Sequence, residues 1–175
     1  MRFLVTNIKY SIEQKDIDAY REDENIDDEV TDEEIVEEIK KSLPQHLIVE
    51  LDDDNDDLEE ALNNEISNAT GWCIETYSAE GLIDVIISKL NNFMEQDHEF
   101  WEAEFGCNSD EIVDQYGFGW YCDEETDEEF FSYVSGDNIT EINTPAEDIL
   151  NKISEAGDNV EKLRDVIFWI YENND

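Results

Sequence analysis

The chain has 175 residues, of which 39% are hydrophobic and 11% aromatic, and this composition excludes a disordered acidic tail. Fifty Asp and Glu residues face ten Lys and Arg residues, so the formal net charge is -40. No run approaches the roughly 18 apolar residues of a membrane-spanning helix, and MRFLVTNIKY lacks a signal-peptide core. We therefore expect a cytoplasmic protein without a membrane partner.

The negative charge is concentrated in the middle of the chain. Between Lys41 and Lys152, 30 acidic residues are accompanied by a single basic residue, Lys89. A small domain usually has a net charge of magnitude about 2–8. A large excess of one sign destabilises a compact state by self-repulsion. We therefore expect this charge to be retained for a partner of opposite sign.

The first 80 residues predict a β-α-β-α-β module. Leu4, Ile8, Tyr10 and Ile12 share one parity, which is typical of a strand, and Phe3 and Val5 make the start of this segment apolar on both faces. Thr31 and Glu34 have the spacing of a capping box, which predicts the start of a helix. The predicted elements are, in order, a strand at 3–12, a loop at 13–30, a helix from Thr31 to Pro44, a strand at 46–51, a helix after the acidic run DDDNDD and a strand at 72–77.

The second half predicts mostly helices, because its apolar residues recur with the helical period after Gly81. The segment YGFGWYC at 116–122 contains two glycines and predicts a turn or a short strand. Thr126 and Glu129 again have capping-box spacing, which predicts a helix that carries the aromatic residues after them. The other predicted helices lie at 82–98, after Asn108, at 144–156 and at 158–172.

These elements predict an α+β fold: an N-terminal β-α-β-α-β module with a small sheet, followed by a mostly helical C-terminal half. The change of hydrophobic period divides the chain into a small α/β module at 1–80 and a mostly helical region at 81–175. This division is either a domain boundary or a seam within one continuous domain.

The sequence offers no pattern for catalysis. It lacks the G-x-S-x-G, P-loop, G-x-G-x-x-G and H-E-x-x-H motifs, and among 50 carboxylates acidic pairs arise by chance. His46 and His98 are far apart in the chain. Cys73, Cys107 and Cys122 have no C-x-x-C spacing, which indicates buried thiols in a reducing compartment. We therefore expect a protein that is not an enzyme and has no cofactor.

The acidic runs also lack the spacing of a calcium-binding loop. An EF-hand loop has Gly at its sixth position and a bidentate Glu at its twelfth. Loops that begin at Asp52 or Asp123 have Asp57 or Glu128 at the sixth position, so both fail. The scattered cysteines and histidines give no zinc spacing either. No dedicated metal site is predicted.

Two acidic segments are candidate partner-binding sites. Acidic cluster 1 consists of Asp52, Asp53, Asp54, Asp56, Asp57, Glu59 and Glu60. Acidic cluster 2 consists of Asp123, Glu124, Glu125, Asp127, Glu128 and Glu129. Trp101, Trp120 and Tyr121 flank cluster 2, and aromatic side chains beside charges are typical of interface hot spots. For each of these three residues, packing in the core is the alternative interpretation. For any single acid in these clusters, stabilisation of a helix N-terminus is an alternative interpretation.

Direct binding to nucleic acid is disfavoured, because such binding depends on Lys and Arg residues that neutralise phosphates. The opposite arrangement is physically reasonable. B-DNA carries one charge per about 1.7 Å of its axis, and a folded surface with tens of carboxylates approaches that density. A protein whose groove is lined with Lys and Arg would accept such a surface in place of DNA or RNA, since charge steers the encounter and Arg–carboxylate pairs hold the complex.

The stretch LPQHLIVELDDDNDDLEEALNNEISNATGWCIETYSAE at 43–80 resembles a short module in uncharacterised small proteins of phages and mobile elements. No activity is attached to that module. In size, charge and layout the whole chain is similar to the DNA-mimic anti-defence proteins, which comprise anti-CRISPR inhibitors and antirestriction proteins. This resemblance implies a phage- or plasmid-encoded inhibitor that acts in the host bacterial cytoplasm on a CRISPR-Cas effector or a restriction enzyme.

The leading hypothesis is therefore a nucleic-acid mimic that blocks the basic groove of a bacterial defence nuclease. Two alternatives are kept: an acidic interaction or regulatory module that binds another basic protein, and a divalent-cation-binding protein. Adaptation to high salt ranks lower, because Ile outnumbers Ala by 19 to 7, unlike the alanine-rich acidic proteins associated with halophiles.

Overall fold

The computed structural model describes residues 1–27, 29–52, 57–123 and 126–174. The described residues form helices and two small antiparallel sheets, and helices predominate in the second half. The predicted α+β fold class, with a mostly helical second half, is confirmed. The chain divides into two compact units, Met1–Leu82 and Ile83–Asp175. Across the described ranges, we find no helix whose length and apolar content would allow it to cross a membrane.

The N-terminal unit is built on a three-stranded antiparallel sheet. Its described elements are β1 (Arg2–Tyr10), α1 (Gln14–Asp23), α2 (Asp32–Ser42), β2 (His46–Glu50), α3 (Leu58–Thr70) and β3 (Ile74–Gly81). The strand order is β2-β1-β3, so β1 lies in the centre. Side chains of the sheet, of α3 and of the residue that follows β2 form the main apolar core: Val5, Ile8, Tyr10, Val49, Leu51, Leu62 and Ile66.

A β-bulge in β1 changes which side chains face this core. The pairing of β1 with β3 shifts register after Thr6, and Asn7 has a left-handed backbone with φ of 53°. Because the bulge inserts a residue, Val5 and Ile8 are both buried although their parity differs. Parity along the sequence therefore does not by itself identify the buried face of β1, since Val5 is buried and Leu4 is half-buried.

Helix α1 lies within 13–30, where the sequence predicts a loop. Asp16 stabilises its start, because one carboxylate oxygen accepts the backbone N–H of Glu13 at 2.8 Å. Ile17 is the buried residue of this helix and packs with Ile35 and Ile39 of α2. One buried side chain leaves no apolar period, and the loop prediction is wrong for Gln14–Asp23 for that reason.

The predicted start of α2 is confirmed. The hydroxyl of Thr31 accepts the backbone N–H of Glu34 at 3.3 Å, and the Glu34 carboxylate accepts the backbone N–H of Thr31 at 2.9 Å. This reciprocal pair is the capping box that the sequence spacing predicts.

The C-terminal unit combines helices with a second three-stranded antiparallel sheet. Its described elements are α4 (Leu82–Gln96), α5 (His98–Phe105), a 3-10 turn at Ser109–Glu111, α6 (Ile112–Tyr116), β4 (Phe118–Cys122), β5 (Glu129–Ser135), β6 (Asn138–Glu141), α7 (Ala146–Ala156) and α8 (Val160–Asn174). The strand order is β4-β5-β6. The helices predicted at 82–98, 144–156 and 158–172 are confirmed as α4, α7 and α8.

The helix predicted after Thr126 is wrong, because these residues form a β-hairpin. Thr126 does not cap a helix; its backbone N–H donates to the Asp123 carboxylate at 3.2 Å within the loop between β4 and β5. The aromatic residues that follow belong to β5, whose Phe130 and Phe131 pair with Tyr121 and Trp120 of β4. For the segment at 116–122 the sequence predicts a turn or a short strand, and the structure has the strand, β4.

Aromatic side chains hold the helices against one face of the second sheet. Tyr171 of α8 stacks on Phe118 with ring centroids 5.8 Å apart and lies 4.6 Å from the ring of Tyr133. Its hydroxyl donates to the backbone oxygen of Tyr116 at 2.6 Å, and burial raises the pKa of this phenol. Asn91 of α4 fixes the start of β4, because its side-chain amide exchanges two hydrogen bonds with the Phe118 backbone.

Candidate functional site

The described carboxylates all lie at the protein surface. Across residues 1–27, 29–52, 57–123 and 126–174, no Asp or Glu is buried. Ion pairs join a few of them to basic side chains: Lys15 to Glu13, Arg21 to Asp32, Lys41 to Glu37 and Arg164 to Asp97. Helices and strands therefore display a large surplus of negative charge toward solvent.

The described members of acidic cluster 1 lie at or before the N-terminus of α3. Asp57 caps this helix, because its carboxylate accepts the backbone N–H of Glu60 at 3.1 Å. Glu59 and Glu60 are exposed in the first helical turn, where the helix dipole favours acids, and Asp52 is exposed before it. The remaining predicted members, Asp53, Asp54 and Asp56, lie outside the described residues. The presence of an acid at position 57 is therefore explained by capping of α3, without a partner.

The described members of acidic cluster 2 lie between β4 and β5 and at the first residue of β5. The backbone N–H of Asp123 donates to the backbone oxygen of Glu128 at 2.9 Å. The backbone N–H of Asp127 donates to the backbone oxygen of Asp123, also at 2.9 Å. Asp127 has a left-handed backbone with φ of 57°, which Asp tolerates better than most residues. The predicted members Glu124 and Glu125 lie outside the described residues. The described part of the loop is thus closed by its own hydrogen bonds.

The carboxylates of this hairpin surround an open depression of about 450 Å³. Its lining consists of four acids, one hydroxyl and one ring: Asp123, Glu128, Glu129, Glu141, Thr126 and Phe130. The β4–β5 loop and β6 therefore place carboxylates beside an aromatic ring on the same part of the surface.

Trp101, one of the three predicted aromatic contact residues, belongs to the core. Its side chain is fully buried and stacks on Phe105 at a centroid distance of 5.5 Å. Its ring also contacts Phe93, Phe100 and Phe168. This burial corrects the prediction that Trp101 lies on a contact surface, because rings from α4, α5 and α8 enclose its side chain.

Trp120 and Tyr121 are exposed, but they lie on opposite faces of β4. Consecutive side chains of a strand point to opposite sides of the sheet. Trp120 lies on the face of Phe118, is 49% exposed, and donates its indole N–H to the Asp84 carboxylate of α4 at 2.8 Å. Tyr121 is 36% exposed on the other face and contacts the ring of Phe130 at 5.1 Å.

The face that carries Tyr121 is apolar although it does not face the aromatic core. We call it the outer strip and define it by Tyr121, Phe130, Val134 and Ile139. The sequence does not predict this strip, because its four residues are not adjacent in the chain: side chains of the opposite face or a turn separate each from the next. The sequence does contain one indication of this strip: apolar residues occur at both parities of β5, so both faces of that strand are apolar.

The remaining predicted chemistry-bearing residues are dispersed. Cys73 and Cys122 are exposed free thiols, so their predicted burial is wrong, while Cys107 is half-buried. His98 contacts the backbone oxygen of Glu95 through Nδ1 at 3.1 Å. Within the part of the chain that the structure describes, no three His, Cys, Asp or Glu side chains are grouped so as to hold a metal ion.

Comparison with known proteins gives no match for this chain among family models, curated proteins or solved structures.

Proposed function

We propose that this protein is a nucleic-acid-mimicking inhibitor that binds the basic nucleic-acid groove of a bacterial defence nuclease, either a CRISPR-Cas effector or a restriction enzyme. It blocks DNA or RNA binding without chemistry of its own. One observation carries the proposal: 30 acids accompany a single lysine between Lys41 and Lys152, and all the described carboxylates of that stretch lie at the surface.

The hydrogen bonds within the described part of acidic cluster 2 support this proposal. Asp127, Glu128 and Glu129 extend from a hairpin whose loop is closed by backbone hydrogen bonds and by the Asp123 carboxylate. A carboxylate held by a fixed backbone loses less conformational freedom on binding than one on a disordered tail. Paired with Arg in a groove, each forms a charge-assisted hydrogen bond of the kind that a phosphate forms.

The outer strip favours a second candidate, an acidic interaction module for a basic protein that does not bind nucleic acid. Tyr121 and Ile139 are exposed on this strip. Imitation of a phosphate backbone does not by itself require apolar contacts, whereas protein interfaces are enriched in exposed aromatic residues at their centres. The two candidates differ in whether the partner has a groove for DNA or RNA.

A displacement experiment tests the proposal. Guide-loaded CRISPR effectors and restriction endonucleases are mixed with labelled target DNA at low salt, and the bound fraction is measured by electrophoretic mobility as this protein is added. We expect stoichiometric loss of bound DNA for a susceptible enzyme, and weaker inhibition as salt screens the charges. Retention of bound DNA by every such enzyme at saturating protein would contradict the proposal.

A pair of charge-matched variants separates specific display from total charge. Asp127→Asn, Glu128→Gln and Glu129→Gln are combined in one variant, and Glu22→Gln, Asp23→Asn and Glu24→Gln in the other. Both sets are exposed, and both change the net charge by the same amount. The proposal predicts a clear loss of inhibition for the hairpin variant only. Equal losses would indicate that total charge suffices.

A further inference from the structure

We infer that the outer strip of the second sheet is the centre of the contact surface, and that it receives an apolar side chain of a protein partner whose surrounding residues are Lys and Arg. This inference rests on the proposed function for the basic character of the partner. It adds that the complex is held by apolar burial as well as by charge.

The pairing of the strands assembles the strip from two apolar pairs. Tyr121 of β4 lies opposite Phe130 of β5, and Val134 of β5 lies opposite Ile139 of β6. Between the two pairs lies Ser132, whose side chain is only 3% exposed and donates to the Gly119 backbone oxygen at 3.3 Å. Gly119 and Glu141 lie on either side of Ser132 in the same row, so a carboxylate stands between the two apolar pairs at the β6 edge.

The strip is not part of the aromatic core of its own unit. The helices pack on the opposite face, where Tyr171 contacts Phe118 and Tyr133. On the strip, Ile139 is 44% exposed, Tyr121 is 36% exposed, and Phe130 and Val134 are half-buried. Exposed apolar side chains that are contiguous and bordered by polar groups are typical of protein interaction sites.

Charge identifies the occupant. Asp123, Glu128 and Glu141 border the depression beside Phe130, and Asp137 lies in the turn between β5 and β6. From Leu90 to Asn151 the sequence contains no Lys or Arg. An apolar patch bordered by these carboxylates complements an apolar patch bordered by Lys and Arg. A second copy of this chain, with its own charge of -40, is repelled.

The two parts of the surface have different roles in this arrangement. The carboxylates accelerate encounter with a basic partner, and salt screens that effect. The strip contributes apolar burial, which slows dissociation and which salt does not screen. A mimic held by charge alone would lose nearly all affinity at high salt, whereas this surface keeps a part of it.

Two synthetic peptides of equal charge test the inference without knowledge of the partner. One alternates Arg with Gly; the other has Leu and Trp in place of the central Gly residues. Binding is measured by calorimetry, and the site is mapped by backbone amide shifts. We expect the apolar peptide to bind about tenfold more tightly or better, with shifts at Tyr121 and Ile139. Equal affinity of the two peptides would overturn the inference.

Matched serine variants supply the control. Ile139→Ser removes an exposed residue of the strip, and Ile48→Ser removes a 36% exposed residue of β2 in the other sheet. Neither changes the charge, and both positions are exposed enough that folding, checked by circular dichroism, should survive. We expect only Ile139→Ser to abolish the preference for the apolar peptide. A preference that survives Ile139→Ser places the contact elsewhere and overturns the inference.

Sedimentation of the protein alone provides a further test. A monomer is expected, and a dimer that Ile139→Ser dissociates would make the strip a homodimer interface instead. The proposed function fails separately, through absence of inhibition of any defence nuclease. If that occurs while the peptide preference holds, the strip serves a basic partner of another kind.

Discussion

The indole N–H of Trp120 donates to the Asp84 carboxylate at 2.8 Å, and this hydrogen bond joins strand β4 to helix α4 across 36 positions of sequence. Nearly half of the Trp120 side chain is exposed, yet its polar atom is occupied. Tryptophan at a surface typically combines a partner for its N–H with an exposed ring. Trp120 therefore has two roles: its N–H attaches the second sheet to α4, and its ring forms part of the exposed surface.

Removal of the Asp84 acceptor should change the environment of Trp120 alone among the tryptophans. In Asp84→Ala we expect the indole N–H resonance of Trp120 to move upfield and its proton to exchange faster with water, because the hydrogen bond is lost. Proton–nitrogen correlation spectra measure both effects. Glu95→Ala, on the same helix, is the control and should leave the resonance in place. An unchanged resonance in Asp84→Ala would show that the bond does not persist in solution.

The two tryptophans Trp101 and Trp120 should differ sharply in their contribution to stability. Trp101 is fully buried among aromatic rings, and replacement of a buried Trp by Ala costs about 3–5 kcal/mol. Trp120→Ala leaves a smaller void because half of the ring already faces solvent, and we expect a clearly smaller loss. Urea unfolding followed by circular dichroism measures the free energy of unfolding of each variant. Similar losses would contradict the assignment of Trp101 to the core.

Arg164 should not be replaceable by Lys. Its guanidinium donates from Nε and one terminal nitrogen to the two Asp97 oxygens at 2.6 and 2.7 Å, and it lies 3.8 Å from the centre of the Phe100 ring. Lysine keeps the charge but cannot form this fork or stack flat on a ring. We expect Arg164→Lys to lower Tm, and Lys162→Arg, an exposed control, to leave it unchanged. Equal Tm values would mean that charge alone matters at this position.

The capping box of α2 predicts a pH dependence of stability. Hydrogen bonds from the backbone N–H and then the hydroxyl of Thr31 hold the pKa of Glu34 below its usual value of 4.5. Because the pKa is lowered in the folded state, the stabilisation is fully present above the unfolded-state value and is lost as pH falls through the folded value. The Tm difference between the native protein and Glu34→Ala should therefore shrink as the pH falls below 4.5.

Glu38→Ala, at an exposed position of the same helix, is the control for this pH effect. It corrects for the general relief of self-repulsion that accompanies protonation of many carboxylates. If the Glu34→Ala difference stays constant down to about pH 3, the carboxylate does not stabilise the helix as its hydrogen bonds indicate.

Elements with strong local signals were predictable from the sequence. The capping box at Thr31 and the apolar period of α4 are local, because caps and helical faces depend on residues within one or two turns. Helix α1 has a single buried residue, Ile17, and so lacks that signal. The aromatic run of β5 has apolar residues on both faces, so periodicity could not separate a strand from a helix.

The candidate site was predictable only in part. The excess of acids is a property of composition, and the surface position of the described members of the two clusters follows from it, although Asp123 is half-buried. Which tryptophan is buried depends on tertiary packing, and nothing local distinguishes Trp101 from Trp120. The outer strip depends on the register between strands, which sequence alternation does not fix.

The central claim is that this protein and DNA compete for one groove. The apparent Kd of a susceptible guide-loaded effector or restriction enzyme for labelled DNA can be measured by fluorescence anisotropy at increasing concentrations of the protein. Competition predicts that the apparent Kd rises in proportion to the protein concentration, without a plateau and without a ternary complex. A plateau, or an enzyme that holds both DNA and this protein, would contradict the claim.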